Sequence, residues 1–215
     1  MAFLPVSKEE MLERGWDRPD FVYICGDAYV DHPSFGAAII CRVLESQGYK
    51  VCFIAQPDWK TTKRRKKDSY SPGGEMGLRP DRATIVYCNK LREVYKKPPI
   101  IIGGIEASLR RLSHYDYWDN KVRRSILLDS GADLLLYGMG EHQIIEMADA
   151  LDSGIPVEEL TFLRGSVYKT KDISRAYDYI ILPKYNEVKQ DKMKYAESFL
   201  IQYQNTDAVI GKTLI

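Results

Sequence analysis

The sequence predicts an α/β fold, with a doubly wound, mostly parallel, Rossmann-like sheet and a C-terminal extension. Short apolar segments alternate with helical segments from residue 20 to residue 154. Strands that alternate with helices over short connections build parallel sheets. Three of the apolar segments also end on glycine just before a helix, at Gly26, Gly103–Gly104 and Gly138–Gly140. This repeated ending is typical of the edge at which such sheets bind ligands.

The first strand, helix and strand cover residues 20–55. "DFVYICG" predicts a buried strand that ends on glycine, and "YKVCFIA" predicts a second strand. The helix between them, "SFGAAIICRVLESQG", is expected to begin at Ser34 as its N-cap and to end at Gly48. Because this helix is apolar nearly all round, we expect it to be deeply buried.

The later elements repeat the pattern as far as residue 154. In chain order we predict a helix at 81–97 capped by Asp81, a strand at 98–104, a helix from "IEASLRRL", a helix at 119–131, a strand at 132–140 and a helix at 141–154.

The alternation weakens after residue 155. "GSVYKTK" and "YDYIILPKYNEV" predict short strands of an added sheet, and residues 186–205 predict one amphipathic helix. The apolar face of this helix comprises Val188, Met193, Ala196, Phe199, Leu200 and Tyr203.

The overall composition is that of an ordinary globular protein. Of the 215 residues, 45% are hydrophobic and 28% are charged, and the formal net charge is +1. Such a balance gives no general attraction to nucleic acid or to a membrane, so neither partner is expected. The basic run that contains Lys60 and Lys63–Lys67 is interpreted as a solvated loop, since no aromatic residues are interleaved with it.

The four cysteines, Cys25, Cys41, Cys52 and Cys88, all lie in apolar segments. No two of them have the Cys-x-x-Cys spacing that is common in zinc and redox sites. We therefore expect reduced thiols in a cytoplasmic protein, and no metal bound by this chain. The N-terminus also lacks the basic and apolar regions of a signal peptide.

The candidate ligand site is the edge where the three glycine turns meet. Small, acidic and basic side chains follow each strand there, and glycine lets a ligand approach the backbone closely. The candidates are Asp27, Asp31, His32, Ser34 and Gly36 in the first turn; Gly103, Gly104, Glu106, Ser108 and Arg110 in the second; and Gly138, Gly140 and Glu141 in the third.

Each turn also has a structural interpretation that the sequence leaves open. Asp31 and Ser34 can satisfy backbone donors at a helix start, as capping residues do. Glu106 and Glu141 can each complement the dipole of their own helix. Arg110, together with Arg111, can bind a phosphate or a carboxylate. Neither a Gly-x-Gly-x-x-Gly fingerprint nor a P-loop occurs, which argues against a dinucleotide or nucleoside triphosphate.

A cluster of His and aromatic residues follows the second turn. We expect it to form an interface, either with a flat ligand or with a partner domain, because aromatic residues are enriched at such surfaces. Its members are His114, Tyr115, Tyr117 and Trp118.

Several longer motifs together resemble one family. "GDAYVDHPSFG", "AQPDW", "RPDRATIVY", "GGIEASLRRLSHYDYW" and "GKTLI" are similar to the N-terminal region of the YgiQ family of radical S-adenosylmethionine proteins, across nearly the whole chain. The strands that end in "GGIEAS" and "GMGE" resemble the cobalamin-binding type of domain that precedes the radical domain in many such enzymes. The resemblance implies a Rossmann-like domain over residues 1–155, and an extension over residues 156–215 that leads to a radical S-adenosylmethionine barrel.

The resemblance also implies cofactors outside this chain. Family members hold a [4Fe-4S] cluster on a Cys-x-x-x-Cys-x-x-Cys motif in the barrel and use S-adenosylmethionine, but this chain has no such motif, so it should contain no catalytic residue. The usual cobalamin motif, Asp-x-His-x-x-Gly, is also not matched by "DHPSFG", so His32 is not expected to ligate cobalamin. In addition, "DWKTTKRRKK" joins directly two stretches that a further strand and loop separate in the family.

These observations predict the accessory domain of a radical S-adenosylmethionine enzyme of unknown substrate, with the barrel of the same polypeptide as its partner. The alternative is a stand-alone module that binds a ligand or a partner without catalysis.

Overall fold

The computed structural model describes residues 2–58, 79–174, 176–207 and 209–215. The basic run at Lys60 and Lys63–Lys67 lies outside the described residues. The elements in chain order are α1 (Lys8–Glu13), β1 (Phe21–Cys25), α2 (Gly36–Ser46), β2 (Val51–Ala55), α3 (Ala83–Val94), β3 (Ile101–Ile102), α4 (Gly104–Leu109), β4 (His114–Asp116), β5 (Lys121–Arg123), α5 (Ile126–Ser130), β6 (Leu134–Leu136), α6 (Glu141–Asp152), β7 (Ser166–Tyr168), β8 (Tyr179–Ile180), α7 (Tyr185–Gln190), α8 (Lys192–Gln204) and β9 (Thr213–Leu214).

The strands form several small sheets, both parallel and antiparallel. β1 pairs in parallel with β2, with Tyr23 opposite Phe53. β6 lies between β3, which is parallel to it, and β7, which is antiparallel. β4 and β5 form an antiparallel hairpin, and β8 pairs in parallel with β9. The α/β class is therefore confirmed, whereas one continuous doubly wound sheet is not: within the described residues no ladder joins β1–β2 to β3–β6–β7.

The two larger sheets nevertheless share their packing. Phe21 of β1 packs against the cluster around Leu134 and Met147, and also against the cluster around Val51. Ile144 of α6 likewise contacts both clusters. Side chains rather than backbone hydrogen bonds thus connect these sheets.

β7 lies in the predicted extension but belongs to the central packing. It pairs with β6 through Val167 opposite Leu135, and the preceding Leu160 and Leu163 are buried in the same cluster as Leu134. The packed α/β unit therefore continues past residue 155 to Tyr168.

Several predicted boundaries differ from the structure. α2 begins at Gly36 instead of Ser34, and its N-cap, Phe35, provides no side-chain cap. The segment 119–131 is divided between β5 and α5, because Asn120 takes a positive φ of 49° that turns the chain into a hairpin. The glycine stop of α5 is confirmed, since Gly131 is left-handed with a φ of 69°.

The single helix predicted at 186–205 is two helices. Asp191, with φ −124° and ψ 117°, leaves the helical region, and its carboxylate accepts a hydrogen bond from Met193 N at 2.8 Å. An aspartate can end one helix and cap the next because its short side chain reaches the free backbone N–H groups. Within the described residues, no helix is long and apolar enough to cross a membrane.

Candidate functional site

Contacts between the second and third glycine turns hold them together. The hydroxyl of Ser108 in α4 accepts a hydrogen bond from Gly138 N at 3.3 Å. A Cβ on Gly103 would lie 3.3 Å from the carbonyl oxygen of Leu136, so a larger residue would press on β6. A Cβ on Gly140 would lie 3.8 Å from the side chain of Ile40 in α2. The third turn is therefore next to α2, the helix that follows the first turn.

The two adjacent glycines after β3 have different structural roles. Gly103 has an extended φ of −160°, which any residue adopts, and its requirement is the close approach of Leu136. Gly104 has a φ of +78° and faces open space, because no atom of the described residues lies within 4 Å of the point that a Cβ would occupy. Of these two, only Gly104 therefore combines a glycine-specific backbone with room for a ligand or a partner, and Gly138 of the third turn, with a φ of +79° and open space, shares this combination.

The two aspartates of the first turn form ion pairs with arginines. Asp27 accepts a hydrogen bond from Nη1 of Arg79 at 2.6 Å. Asp31 accepts from Nε of Arg42 at 3.1 Å and also from its Nη2, and this bidentate contact holds the pKa of Asp31 below its ordinary value. Arg42 in turn contacts Glu45 and the carbonyl of Ala2. Both aspartates thus tie this turn to neighbouring segments.

The rest of the first turn is locally hydrogen-bonded. Nδ1 of His32 accepts a hydrogen bond from Ser34 N at 3.1 Å. Gly36 begins α2 beside open space. His32 and Ser34 thus make a local contact within the turn that precedes α2.

Glu106 does more than complement its own helix. Its Oε2 accepts from Thr84 Oγ1 at 2.9 Å and from Thr84 N at 3.3 Å, which caps the start of α3. Its Oε1 accepts from Nη1 of Arg110 at 2.9 Å. The cap predicted at Asp81 is thus replaced by a carboxylate from a distant helix, and Arg110 is paired within the chain.

Arg111 and Glu141 complete the predicted edge. Arg111 lies over the ring of Tyr137 at 4.8 Å and donates to the carbonyl of Ser108 at 2.7 Å. Glu141 lies in the first turn of α6, where a carboxylate complements the helix dipole. The structure therefore engages both arginines of the second turn in intramolecular contacts.

A buried ion network holds the β4–β5 hairpin. Asp116 is only 6% exposed, and its Oδ2 accepts from Nη2 of Arg82 at 2.6 Å and from Nε of Arg123 at 2.5 Å. Asp119 contacts the same two guanidinium groups, at 3.0 Å from Arg82. Burial alone would raise the pKa of Asp116, but the hydrogen bonds from Arg82, Arg123 and Trp118 N lower it strongly.

The hairpin presents aromatic side chains to the surface. Tyr117 is 70% exposed, and Tyr115 and Trp118 are also exposed, while the rings of Tyr117 and Trp118 meet edge to face at 5.7 Å. Tyr115 donates from its hydroxyl to Asn120 at 2.6 Å, and its backbone N–H donates to the hydroxyl of Tyr195 in α8 at 3.3 Å. These contacts give the exposed rings a defined position.

His114 is different from its aromatic neighbours because it is half-buried. Burial lowers the pKa of His114, and its Nδ1 lies 3.1 Å from the carbonyl oxygen of Leu112. A carbonyl oxygen can only accept, so Nδ1 is the donor in this contact. This residue is therefore part of the base of the hairpin.

One open cavity of about 360 Å³ lies beside the hairpin and away from the three turns. Its basic side chains are largely paired with nearby carboxylates: Arg123 with Asp116, and Arg124 with Asp129. The lining residues are Lys121, Val122, Arg123, Arg124, Asp129, Tyr185 and Lys189.

The cysteines do not fit an iron–sulfur cluster. All four are free, and burial raises the pKa of Cys41 and of Cys88 to about 12, which keeps both thiols protonated. Cluster and zinc ligands are thiolates. Across residues 2–58, 79–174, 176–207 and 209–215, no three His, Cys, Asp or Glu side chains are grouped so as to hold a metal ion.

Sequence reasoning missed the basic partners that organise this region, namely Arg42, Arg79 and Arg82, as well as Thr84. Arg82 and Thr84 lie within "RPDRATIVY", a motif noted for its resemblance, but no local pattern links them to Asp116 or Glu106. The fold defines the class: an α/β domain with glycine turns after β1, β3 and β6 and a hairpin that exposes aromatic side chains, without a metal group among its described residues.

The particular family follows from comparison with known proteins. The model of the family described as "Radical SAM N-terminal" matches residues 3–64 and 60–215. The chain belongs to this radical S-adenosylmethionine (SAM) N-terminal family. No solved structure matches it.

Relatives of known sequence are longer proteins named only as UPF0313 proteins. One from Clostridium perfringens (strain ATCC 13124) is 53% identical over 245 residues, which cover 99% of this chain and 37% of that protein. Another from Clostridium botulinum (strain Loch Maree) is 50% identical over 246 residues, which cover 100% of this chain and 38% of that protein. The chain thus spans little more than a third of the length of these relatives.

The alignments with these relatives also concern the segment after "QPDW", where the sequence lacks the strand and loop that the family has. An alignment of 245 positions with a chain of 215 residues leaves at least 30 positions of the relative without a counterpart here. The family model matches in two pieces that meet at residues 60–64. The interruption of the match therefore falls at the place where the sequence motifs indicated a shortened connection.

Proposed function

We propose that this chain is the accessory N-terminal domain of a radical SAM enzyme, and that it shapes the substrate or partner side of the active site. The observation that carries the proposal is the β4–β5 hairpin, which exposes Tyr117 and Trp118 and in which the buried carboxylate of Asp116 accepts a hydrogen bond from Trp118 N. Rigid aromatic side chains supply contact area at low entropic cost. Membership of the radical SAM N-terminal family supports a barrel as the partner.

The division of labour follows from the residues present. This chain would orient the substrate or partner and shield the active site, through the hairpin and the open backbone at Gly104. The barrel would hold the [4Fe-4S] cluster and SAM, which together supply radical chemistry when bound. No step is assigned to this chain, since its cysteines do not fit a cluster.

We also propose the finer assignments that the resemblance implies: kinship with the YgiQ family, a cytoplasmic location, and a doubly wound arrangement related to cobalamin-binding domains. The shared packing of Phe21 and Ile144 supports treating β1–β2 and β3–β6 as parts of one such arrangement. The four free cysteines support the location.

The experiment uses the full-length product of the gene that encodes this chain. Iron and sulfide are added anaerobically and the excess is removed. Iron content is then measured, together with the 5′-deoxyadenosine formed from SAM when dithionite supplies the electron that cleavage requires, for the wild type and for Tyr117→Ser/Trp118→Ser. We expect both proteins to bind iron. The cluster of the variant should bleach faster in dioxygen, because the active site is less shielded without the two aromatic side chains. Failure of the wild type to bind iron would overturn the proposal.

The alternative, a stand-alone binding module without catalysis, predicts a gene that ends with this chain. The same measurement distinguishes the two, because such a product would contain neither iron nor SAM cleavage activity.

A further inference from the structure

Helix α8 has its apolar stripe on the outside. The stripe is defined as Met193, Ala196, Phe199, Leu200 and Tyr203, which repeat at three- and four-residue spacing and so lie on one face. All five are exposed, and Met193 is 75% exposed. Five of the six residues predicted for the apolar face are therefore on one side of α8, but they point away from the domain, whereas the sixth, Val188, lies in α7 and is buried.

The opposite side of α8 faces the domain. Ser198 on that side is only 3% exposed, and its hydroxyl accepts a hydrogen bond from Nε2 of Gln202 in the same helix at 3.2 Å. The hydroxyl of Tyr195, also on that side, accepts from Tyr115 N of the hairpin at 3.3 Å. Tyr195 thus links the inward side of α8 to the hairpin, and the stripe lies on the other side.

Within the stripe, the exposed side chains are already arranged as a surface. The rings of Phe199 and Tyr203 stack with their centroids 6.4 Å apart and their planes 20° from parallel. Continuous apolar surface of this kind on a monomer usually marks an interaction site. A helix that presents apolar side chains at these spacings matches the geometry of helix packing.

We infer that the α8 stripe is the docking surface for the radical SAM barrel of the same polypeptide. The choice of the barrel as the partner that covers the stripe rests on the length of the relatives. The chain is 53% identical to a relative of which it covers only 37%, so the larger part of that protein lies outside the aligned region. The stripe lies on the helix joined through Tyr195 to the hairpin that carries Tyr117 and Trp118, so one partner can cover both. This inference rests on the proposed function and names the surface that it uses.

The test compares amide hydrogen exchange over residues 192–204 in the full-length gene product and in the 215-residue chain. Docking should slow exchange in the full-length protein by at least about tenfold, because opening α8 would first require the stripe to separate from the barrel. In Phe199→Ser/Tyr203→Ser this extra protection should be lost. The matched control, Lys194→Ser/Glu197→Ser, removes an exposed ion pair on the same helix but outside the face that carries the stripe, and it should keep this protection.

Equal exchange in the two wild-type proteins would overturn the inference. So would protection in the 215-residue chain that rises with its concentration, because a second copy would then be the occupant. To detect a folding defect, both double variants are also made in the 215-residue chain, where the melting temperature should be unchanged. A lower melting temperature of the stripe variant would mean that the stripe packs within this chain, and it would overturn the inference. Iron content distinguishes the two proposals. Protection from exchange without bound iron would support docking and overturn the proposed function. Bound iron without protection would support the proposed function and overturn docking.

Discussion

The guanidinium of Arg82 lies 2.6 Å from the carboxylate of Asp116, which is 34 residues further along the chain. Arg123 approaches the same oxygen at 2.5 Å. One buried carboxylate therefore joins the start of α3 to both strands of the hairpin. This contact determines where the exposed rings of Tyr117 and Trp118 lie.

Removal of this carboxylate should destabilise the domain. Asp116→Ala leaves two guanidinium groups beside a buried site, and we expect a loss of about 2–3 kcal/mol in the free energy of unfolding, below the range for fully buried pairs because both arginines are partly exposed. Urea unfolding measures the loss. Glu93→Ala, which removes an exposed pair with Lys90, is the control and should cost less than about 1 kcal/mol. Equal small losses would show that the network contributes little.

Protonation of His114 should make stability depend on pH. Burial lowers the pKa of His114 in the folded state below its unfolded value of about 6.5. The unfolded chain then binds the proton more readily, so this contribution to stability is fully present above about pH 6.5 and is lost as the pH falls through the folded pKa. Denaturant unfolding between pH 7.5 and 5.5 should show a decrease that His114→Gln reduces. An unchanged slope in this variant would assign the dependence to other groups.

Substitutions at two glycines should have opposite effects. Gly104→Ala places a side chain in open space but at a φ of +78°, which should cost about 1–2 kcal/mol. Gly36→Ala also faces open space but lies in α2 without a positive φ, and it should be neutral or stabilise by about 0.4–1 kcal/mol. Thermal unfolding of both variants tests the comparison. Similar losses at both positions would mean that crowding, rather than backbone conformation, decides the outcome.

The purified 215-residue chain should be colourless and inactive on SAM. Its cysteines lack the spacing of cluster ligands, and burial raises the pKa of Cys41 and Cys88 to about 12. After anaerobic treatment with iron and sulfide, we expect no bound iron and no 5′-deoxyadenosine. The full-length gene product, treated in parallel, is the positive control. A brown 215-residue chain would contradict the prediction.

The sequence by itself determined the fold class, many of the elements and the family, but not the β4–β5 hairpin. Local patterns were sufficient for the strands of "DFVYICG" and "ADLLLYGMG", for the glycine stop at Gly131, and for the lack of a cluster motif. These features depend on side-chain period and on backbone preference, which act over a few residues. The motifs around "GGIEAS" also led to the radical SAM N-terminal family, which the comparison shows.

The tertiary structure decided which groups meet. Glu106 caps α3 through Thr84, and Asp116 pairs with Arg82, because folding brings together segments that lie 22 and 34 residues apart. It also decided the direction of α8: periodicity identified the stripe, but the helix buries the side that carries Ser198 and contacts the hairpin through Tyr195, so the stripe lies outward. A local pattern specifies that a face is apolar, whereas its burial depends on which surface the rest of the chain presents to it.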